Sequence, residues 1–343
     1  MGLGSTVPLL APISLGVRDI SRSPIARLWL PVLGMAAAVA ALDRRADSGD
    51  LVYFVHRGEA MLSARWADTF ADPTLQAGPL QLLLAGAIRS TEALAFVVEI
   101  GVAALLVFVL GRLGVADRWR VLAGIGAVVT GLTHLAFVDG HPAEAVSPLL
   151  WVLAAVQARR GHPARAGLLV GASAGFELWG LLGIAVLALA PRPRDAARAA
   201  AAALATVLLL LAPFAVFGSF GMFDYEWRVA HGTLPGLLVE PGTQFNWALR
   251  LLQAAAACGA GVAVARALRR SAHAIWLVPL AVVVVRIVLD PLAYGWYWLE
   301  AESLALVGAA LIVTAPPSPI RAARHRAVAS PCSEAARPRP VRS

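Results

Sequence analysis

Long apolar runs broken by short clusters of arginine dominate this chain, and they leave it few folds to choose from. A helix needs roughly 20 apolar residues to cross about 30 Å of hydrocarbon, and stretches such as Val121 to Val138, Ala199 to Phe217 and Gly295 to Thr314 come close to that length. Composition agrees: 59% of residues are hydrophobic and 15% are charged, against about 25% charged in a water-soluble domain. An ordinary soluble enzyme is thereby excluded. All 29 basic residues are arginine, and the formal net charge is +8. In a soluble protein that excess would point to nucleic acid, but here the arginines fall between apolar runs, as the positive-inside rule describes. No nucleic-acid partner is expected. Cys258 and Cys332 allow at most one bridge and match no metal-ligand spacing.

The pattern predicts an all-α, polytopic transmembrane helical bundle with about ten crossings and both ends cytoplasmic. Residues 1–27, with Arg18 and Arg22 and no cleavage site, read as a cytoplasmic tail. A first span, Leu28 to Leu42, leads into an acid-rich outside segment, about 43–78. The region 78–111 reads either as one crossing preceded by a short interfacial helix or as three short crossings, and ends at the inside cluster Arg112, Arg118 and Arg120. Val121 to Val138 exits, Asp139 to Glu144 turns outside, and Ala145 to Val156 returns. Ala164 to Ala190 has basic clusters at both ends, so it should be a hairpin of two short helices turning near Gly175 to Trp179. Ala199 to Phe217 exits to a second outside segment, about 218–246; Trp247 to Val264, Ile275 to Leu289 and Gly295 to Thr314 follow. The Arg-, Pro- and Ala-rich residues 316–343 are expected to form a disordered basic cytoplasmic tail. Period-two alternation is absent, so a barrel is excluded and no strands are needed.

Ionisable groups inside apolar spans are costly and default to functional candidates. Here they are Glu99, His134, Glu177, Arg286, Asp290, Glu300 and Glu302. Arg286 and Asp290, four apart on one helix face, are expected to form a local ion pair. The outside segments are more informative. If the chain is helical from Asp50 onward, Asp50, Tyr53 and Arg57 share a face beside His56; the plainer alternative is an amphipathic helix lying on the bilayer. His141 and Glu144 read as acceptor-binding groups or as helix caps, Glu177 and Trp179 as cavity-facing, and Arg228 and His231 as loop groups able to meet an anion or simply be solvated. Trp227, Trp247, Trp296 and Trp298 fit an aromatic belt, with Trp227 and Trp247 also candidate sugar platforms.

This order of features resembles the GT-C superfamily of membrane glycosyltransferases, with glycosyltransferase family 87 and its mannosyltransferase-like relatives the nearest match. The resemblance, over residues 28–315, rests on Asp50-Leu-Val-Tyr53, Pro73-Thr-Leu-Gln-Ala-Gly-Pro-Leu80, Gly140-His-Pro-Ala-Glu144, Arg160-Gly-His-Pro-Ala-Arg-Ala-Gly167, Gly171 and Phe176-Glu-Leu-Trp179. It implies transfer of a sugar, mannose in those relatives, from a polyprenyl-phosphate donor to an envelope lipid or glycan acceptor on the outer face of the cytoplasmic membrane. An aspartate of the first outside loop is the general base there; Asp50 matches best and Asp47 is the alternate. Relatives often carry Lys at the hairpin turn where this chain has Glu177, a reversal that would change substrate preference or activity.

The residue types suit that chemistry on their own account. A positioned carboxylate activates an acceptor hydroxyl, and Arg57, Arg228 or protonated His231 would stabilise a departing phosphate. Tyr53, His56, His141, Glu144 and Glu177 complete the candidate substrate-binding set. No cofactor is implied, and no Asp-x-Asp triplet occurs, since Asp47-Ser-Gly-Asp50 has one residue too many. Metal-independent chemistry is favoured, with room left for Mg²⁺ or Mn²⁺. A secondary transporter and a noncatalytic membrane assembly protein are the alternatives. The first lacks support from internal repeats, and no P-loop, Gly-x-Ser-x-Gly or His-Glu-x-x-His motif is present.

Overall fold

The structure is a computed structural model that describes residue 23 and residues 25–42, 50–138 and 140–314. Asp47 and the tails 1–22 and 316–343 lie outside the described residues. The described residues are mostly helical: α1 (Leu30–Leu42), α2 (Leu51–Met61), α3 (Pro79–Ile88), α4 (Thr91–Arg112), α5 (Asp117–Val129), α6 (Leu132–Val138), α7 (Pro142–Arg159), α8 (Pro163–Phe176), α9 (Pro193–Phe217), α10 (Leu234–Leu238), α11 (Trp247–Ala267), α12 (Ala274–Val288) and α13 (Trp298–Thr314). Among the described residues, four helices are long and apolar enough to cross a membrane: Thr91–Arg112, Pro193–Phe217, Trp247–Ala267 and Gly295–Thr314. Shorter apolar helices at Ala26–Leu42, Pro79–Ile88, Leu178–Leu189 and Ala274–Val288 accompany them.

Local chemistry sets most of the boundaries. Proline stands in the first turn of α3, α7, α8 and α9, where its missing N–H would have no intrahelical partner anyway. Side chains of Ser90 and Asn246 accept from the backbone N–H groups of Ala93 and Leu249 and so cap α4 and α11. Region 78–111 is one short helix followed by one long one, the helix pattern of the first expected arrangement. The expected single run Val121 to Val138 is split into α5 and α6 at Gly131, whose φ is +87°; a glycine tolerates that left-handed turn at little cost.

Helix α7 is the centre of the bundle: Trp151 and most of its length are buried, and α4, α8, α12 and α13 pack around it. The hairpin expected over 164–190 is present, but its second arm is unusual. After α8 the backbone is extended at Glu177 (φ −154°, ψ 142°), and Leu178–Leu189 then forms 12 residues of 3-10 helix, a form seldom sustained beyond 3–4 residues. Gly180 lies against the Ser173 backbone and Gly183 against the Trp151 ring. The Trp151 indole N–H donates to Ser173 Oγ and to the Gly180 carbonyl, both at 2.9 Å. The tightly wound arm is thus held against α7 and α8 by contacts only glycine allows.

Helices α2 and α3 cross at Gly58 and Gly86, each of which lies so near the other's backbone that a Cβ would come to 2.3–2.4 Å. Outside the helices one feature departs from expectation: a two-residue antiparallel ribbon pairs Trp227–Arg228 with Gln244–Phe245. Its N–H and C=O groups are satisfied where the loop packs Trp227 and Phe245 inward.

Candidate functional site

The first turns of α2, α3, α7 and α11 converge with the α8 break and residues 290–297 around an open cavity of about 570 Å³. Its mouth is organised by α2. Asp50 stands at the N-terminal cap position of that helix, makes no capping bond, and places Oδ2 3.1 Å from His141 Nε2. Gly140 (φ +76°) makes the approach possible, since a Cβ there would meet the Asp50 backbone nitrogen at 2.6 Å. His141 then stacks on Trp296 (4.5 Å between centroids, 6° between planes), which in turn stacks on Tyr294 (4.2 Å, 10°). Burial favours the neutral imidazole, but the Asp50 hydrogen bond and the charges of Glu177, Glu144 and Asp50 outweigh it and raise the His141 pKa above 6.5.

Beside this pair, Asp72 anchors the loop that follows α2. The Thr74 hydroxyl and backbone N–H donate to Oδ1 at 2.7 and 2.9 Å, the Tyr53 hydroxyl donates to Oδ2 at 3.0 Å, and Arg57 pairs with the same oxygen. The Thr74 hydroxyl bond is the main cause holding the Asp72 carboxyl below its ordinary 3.8, with the backbone bond, Tyr53 and Arg57 adding to it against partial burial. Arg57 also lies 5.0 Å from the Tyr53 ring centroid. Tyr53 and Arg57 therefore do share a face, as expected, but the anion they hold is the protein's own Asp72.

Beneath the cavity, and reaching it through Glu144 and Arg250, lies a lattice of buried charge, called the floor below. Arg286 donates to Glu144 through both terminal nitrogens (2.9 and 3.0 Å) and pairs with Glu300 at 2.9 Å. Arg250 donates to Asp290 (2.8 Å) and to Gln253 (2.9 Å), and Gln253 donates in turn to Asp290 (3.1 Å) and to the Arg286 carbonyl (2.9 Å). The expected local Arg286–Asp290 pair is thus replaced by three pairs between separate segments, Arg250–Asp290, Arg286–Glu144 and Arg286–Glu300. Asp290 lies just past the end of α12, where it also accepts from its own loop, at Leu292 N–H. The Trp179 ring lies 5.0 Å from the Arg250 guanidinium and 5.6 Å from that of Arg286. Arg250 also covers Trp227 at 4.2 Å, and Arg286 lies 4.7 Å from Tyr297.

Of the residues singled out from sequence, Asp50, Tyr53, His141, Glu144 and Glu177 all line this one cavity. His141 and Glu144 are not plain helix caps: the first makes no capping bond, and the second is held by Arg286. His56, Arg228 and His231 are exposed and do not line the cavity; Arg228 donates to the Gly242 carbonyl (3.3 Å) in its own loop. Trp227 lines it, Trp247 packs edge-on behind Trp227 (4.9 Å), and Trp296 is a wall rather than a belt residue. Sequence reading missed Arg250, Asp72, Tyr225, Tyr294 and Tyr297 as site residues. The Trp and Tyr density of 294–298 was the signal available for the last two. Among the described residues, no group of three His, Cys, Asp or Glu side chains is placed to hold a metal ion.

A second hollow, an apolar groove of about 230 Å³, adjoins the cavity through Phe54 and Gln81, which line both. Leu84, Leu94, Val97, Leu105 and Val146 form its walls between α3, α4 and α7. No family model matches this chain, and no curated protein or solved structure matches it.

Proposed function

We propose that the protein is a membrane glycosyltransferase that moves a sugar, mannose as the first candidate, from a polyprenyl-phosphate donor to an envelope lipid or glycan acceptor. The observation that carries this reading is the Asp50–His141 pair at the mouth of an aromatic-walled cavity that shares Phe54 and Gln81 with an adjoining apolar groove. Polar chemistry and a hydrocarbon tail would each have a place, and ring walls suit the apolar faces of sugars. In the reaction the acceptor oxygen bonds to the anomeric carbon while the bond from that carbon to the phosphate oxygen breaks. Asp50 takes the hydroxyl proton, and the lipid phosphate leaves with the electron pair, its charge met by the imidazolium of His141. Asp47 remains the alternate base. His56, Arg228 and His231 lie outside the cavity and take no part in this step, and Arg57 acts by holding Asp72.

In this reading the chain crosses the cytoplasmic membrane about ten times, both termini are cytoplasmic, and the cavity opens on the outer face. The positive-inside distribution of arginines supports that orientation. Cysteines placed at 50 and 231, on a background lacking Cys258 and Cys332, should react with an impermeant thiol reagent on intact cells; labelling only after lysis overturns the orientation. The test of function is an envelope glycan profile of a deletion strain carrying wild type or Asp50→Asn. Loss of one sugar from a defined product, restored by wild type alone, is the expected result. One observation favours a second reading, transport of a polar solute: the buried Arg286–Glu144–Glu300 group sits on apolar helices and Arg250 pairs with Asp290 at the end of another, as in transporter cores. An unchanged glycan profile with altered solute uptake would select it.

A further inference from the structure

Carboxylates outnumber guanidinium groups at and beneath the cavity. Glu144, Glu177 and Arg250 line it, Asp290, Glu300 and Arg286 lie buried behind that lining, and the two arginines already pair with Glu144, Asp290 and Glu300. Glu177 is left over: it lines the cavity and makes no side-chain hydrogen bond or ion pair among the described residues. Its place is fixed by the backbone, since Gly78 N–H donates to the Phe176 carbonyl at 2.6 Å and Ala77 bridges to Glu177. A Cβ on Gly78 would meet the Gly175 carbonyl oxygen at 2.3 Å, so α3 can dock there only with glycine at that position. One turn further along α3, Gln81 lines the same cavity with 5% of its surface exposed, and its amide oxygen has no partner.

A buried polar group without a partner is costly, and the half-buried Glu177 carboxylate has no ion pair of its own, only the more distant charges of Arg286 and His141. A neutral hydroxyl would supply hydrogen bonds to these groups but leave Glu177 without an ion partner. A protonated amine supplies both donors and charge.

We propose that the floor of the cavity is a subsite for a protonated amine carried by the sugar, with the Glu177 carboxylate as its ion partner and the Gln81 amide as a second acceptor. The proposal rests on the glycosyltransferase reading only in taking a sugar as the carrier of the amine. It is tested on the full-length protein in lipid nanodiscs, with glucosamine, glucose and N-acetylglucosamine as soluble probes and quenching of tryptophan emission as the signal. Wild type should bind glucosamine about tenfold more tightly than glucose or N-acetylglucosamine, the effect of one charge-assisted contact. Glu177→Gln should lose that preference, and Glu177→Asp should keep part of it.

Equal binding of the three probes by wild type overturns the proposal, and so does a preference that survives in Glu177→Gln. Should Glu177→Gln fail to fold, the wild-type panel and Glu177→Asp still decide. Because none of the probes is a glycosyl donor, the outcome is independent of transfer. Amine preference without any transfer product would sink the glycosyltransferase reading alone; transfer from a polyprenyl-phosphate hexose without amine preference would sink the amine subsite alone.

Discussion

The mouth and the floor of the cavity use the same kinds of side chain to opposite ends. At the floor, Arg286 and Glu144 are 1% and 2% exposed, and the guanidinium is held by two carboxylates. At the mouth, Asp50 is 56% exposed and touches only a ring that can gain or lose a proton. A charge locked among partners in a dry interior cannot easily change its state, so it serves the architecture. A carboxylate paired with a titratable group at the water's edge can exchange protons and is suited to chemistry. Ionisable residues in apolar helices, read one by one, do not reveal this division; their partners do.

The largest effect should come from the floor. Arg286→Met leaves Glu144 and Glu300 buried without a counter-charge and should cost about 3–5 kcal/mol, read as a collapse of thermal stability in detergent or nanodiscs. A stability close to wild type would show that the floor lattice is not structural. Asp50→Asn should do the reverse, lowering transfer by about 10²–10⁴-fold while the melting temperature falls only slightly, through loss of the exposed contact to His141; a large loss of stability would erase the contrast between the two regions.

The pH response sharpens it further. Because folding raises the His141 pKa above 6.5, the Asp50–His141 contribution is fully present below about 6.5 and is lost as pH rises through the higher folded value. Wild type should therefore lose stability relative to His141→Gln across that window, and transfer should fall on the same alkaline limb. A stability difference that does not change with pH would count against the ion pair. The smallest effect belongs to Arg57→Ala, about 0.2–1 kcal/mol for a partly exposed pair. Asp72, with its lowered pKa, contributes stability that is present above its ordinary 3.8 and lost as pH falls through the depressed folded value. An acid melting profile of wild type against Asp72→Asn should show that loss; identical profiles would remove Asp72 as an anchor.

Sequence reading located the helices and half of the site because both depend on local signals. Apolar runs, first-turn prolines and the acid-rich segment after α1 are written within a few residues of one another, and they led to Asp50, Tyr53, His141, Glu144 and Glu177. The floor escaped because its pairs are remote in the chain: Arg250 and Asp290 are 40 residues apart, Arg286 and Glu144 142 apart. A rule for neighbours on one helix turn matched Arg286 with Asp290, whereas the fold gave each a partner on another segment. Arg228 and His231 show the converse limit, for residing in a polar loop did not bring them to the cavity. Nor does hydropathy distinguish a 3-10 arm from an α-helical one.

That arm has a consequence for how the chain tolerates change. With three residues per turn, side chains eclipse one another at every third position, so Leu178–Leu189 is a three-sided prism. One side, Gly180, Gly183, Val186 and Leu189, is wholly buried, and another, Leu178, Leu181 and Ile184, is only partly so until Leu187. In a saturation scan, tolerance through this stretch should rise and fall with a beat of three, while the flanking helices keep a beat near 3.6.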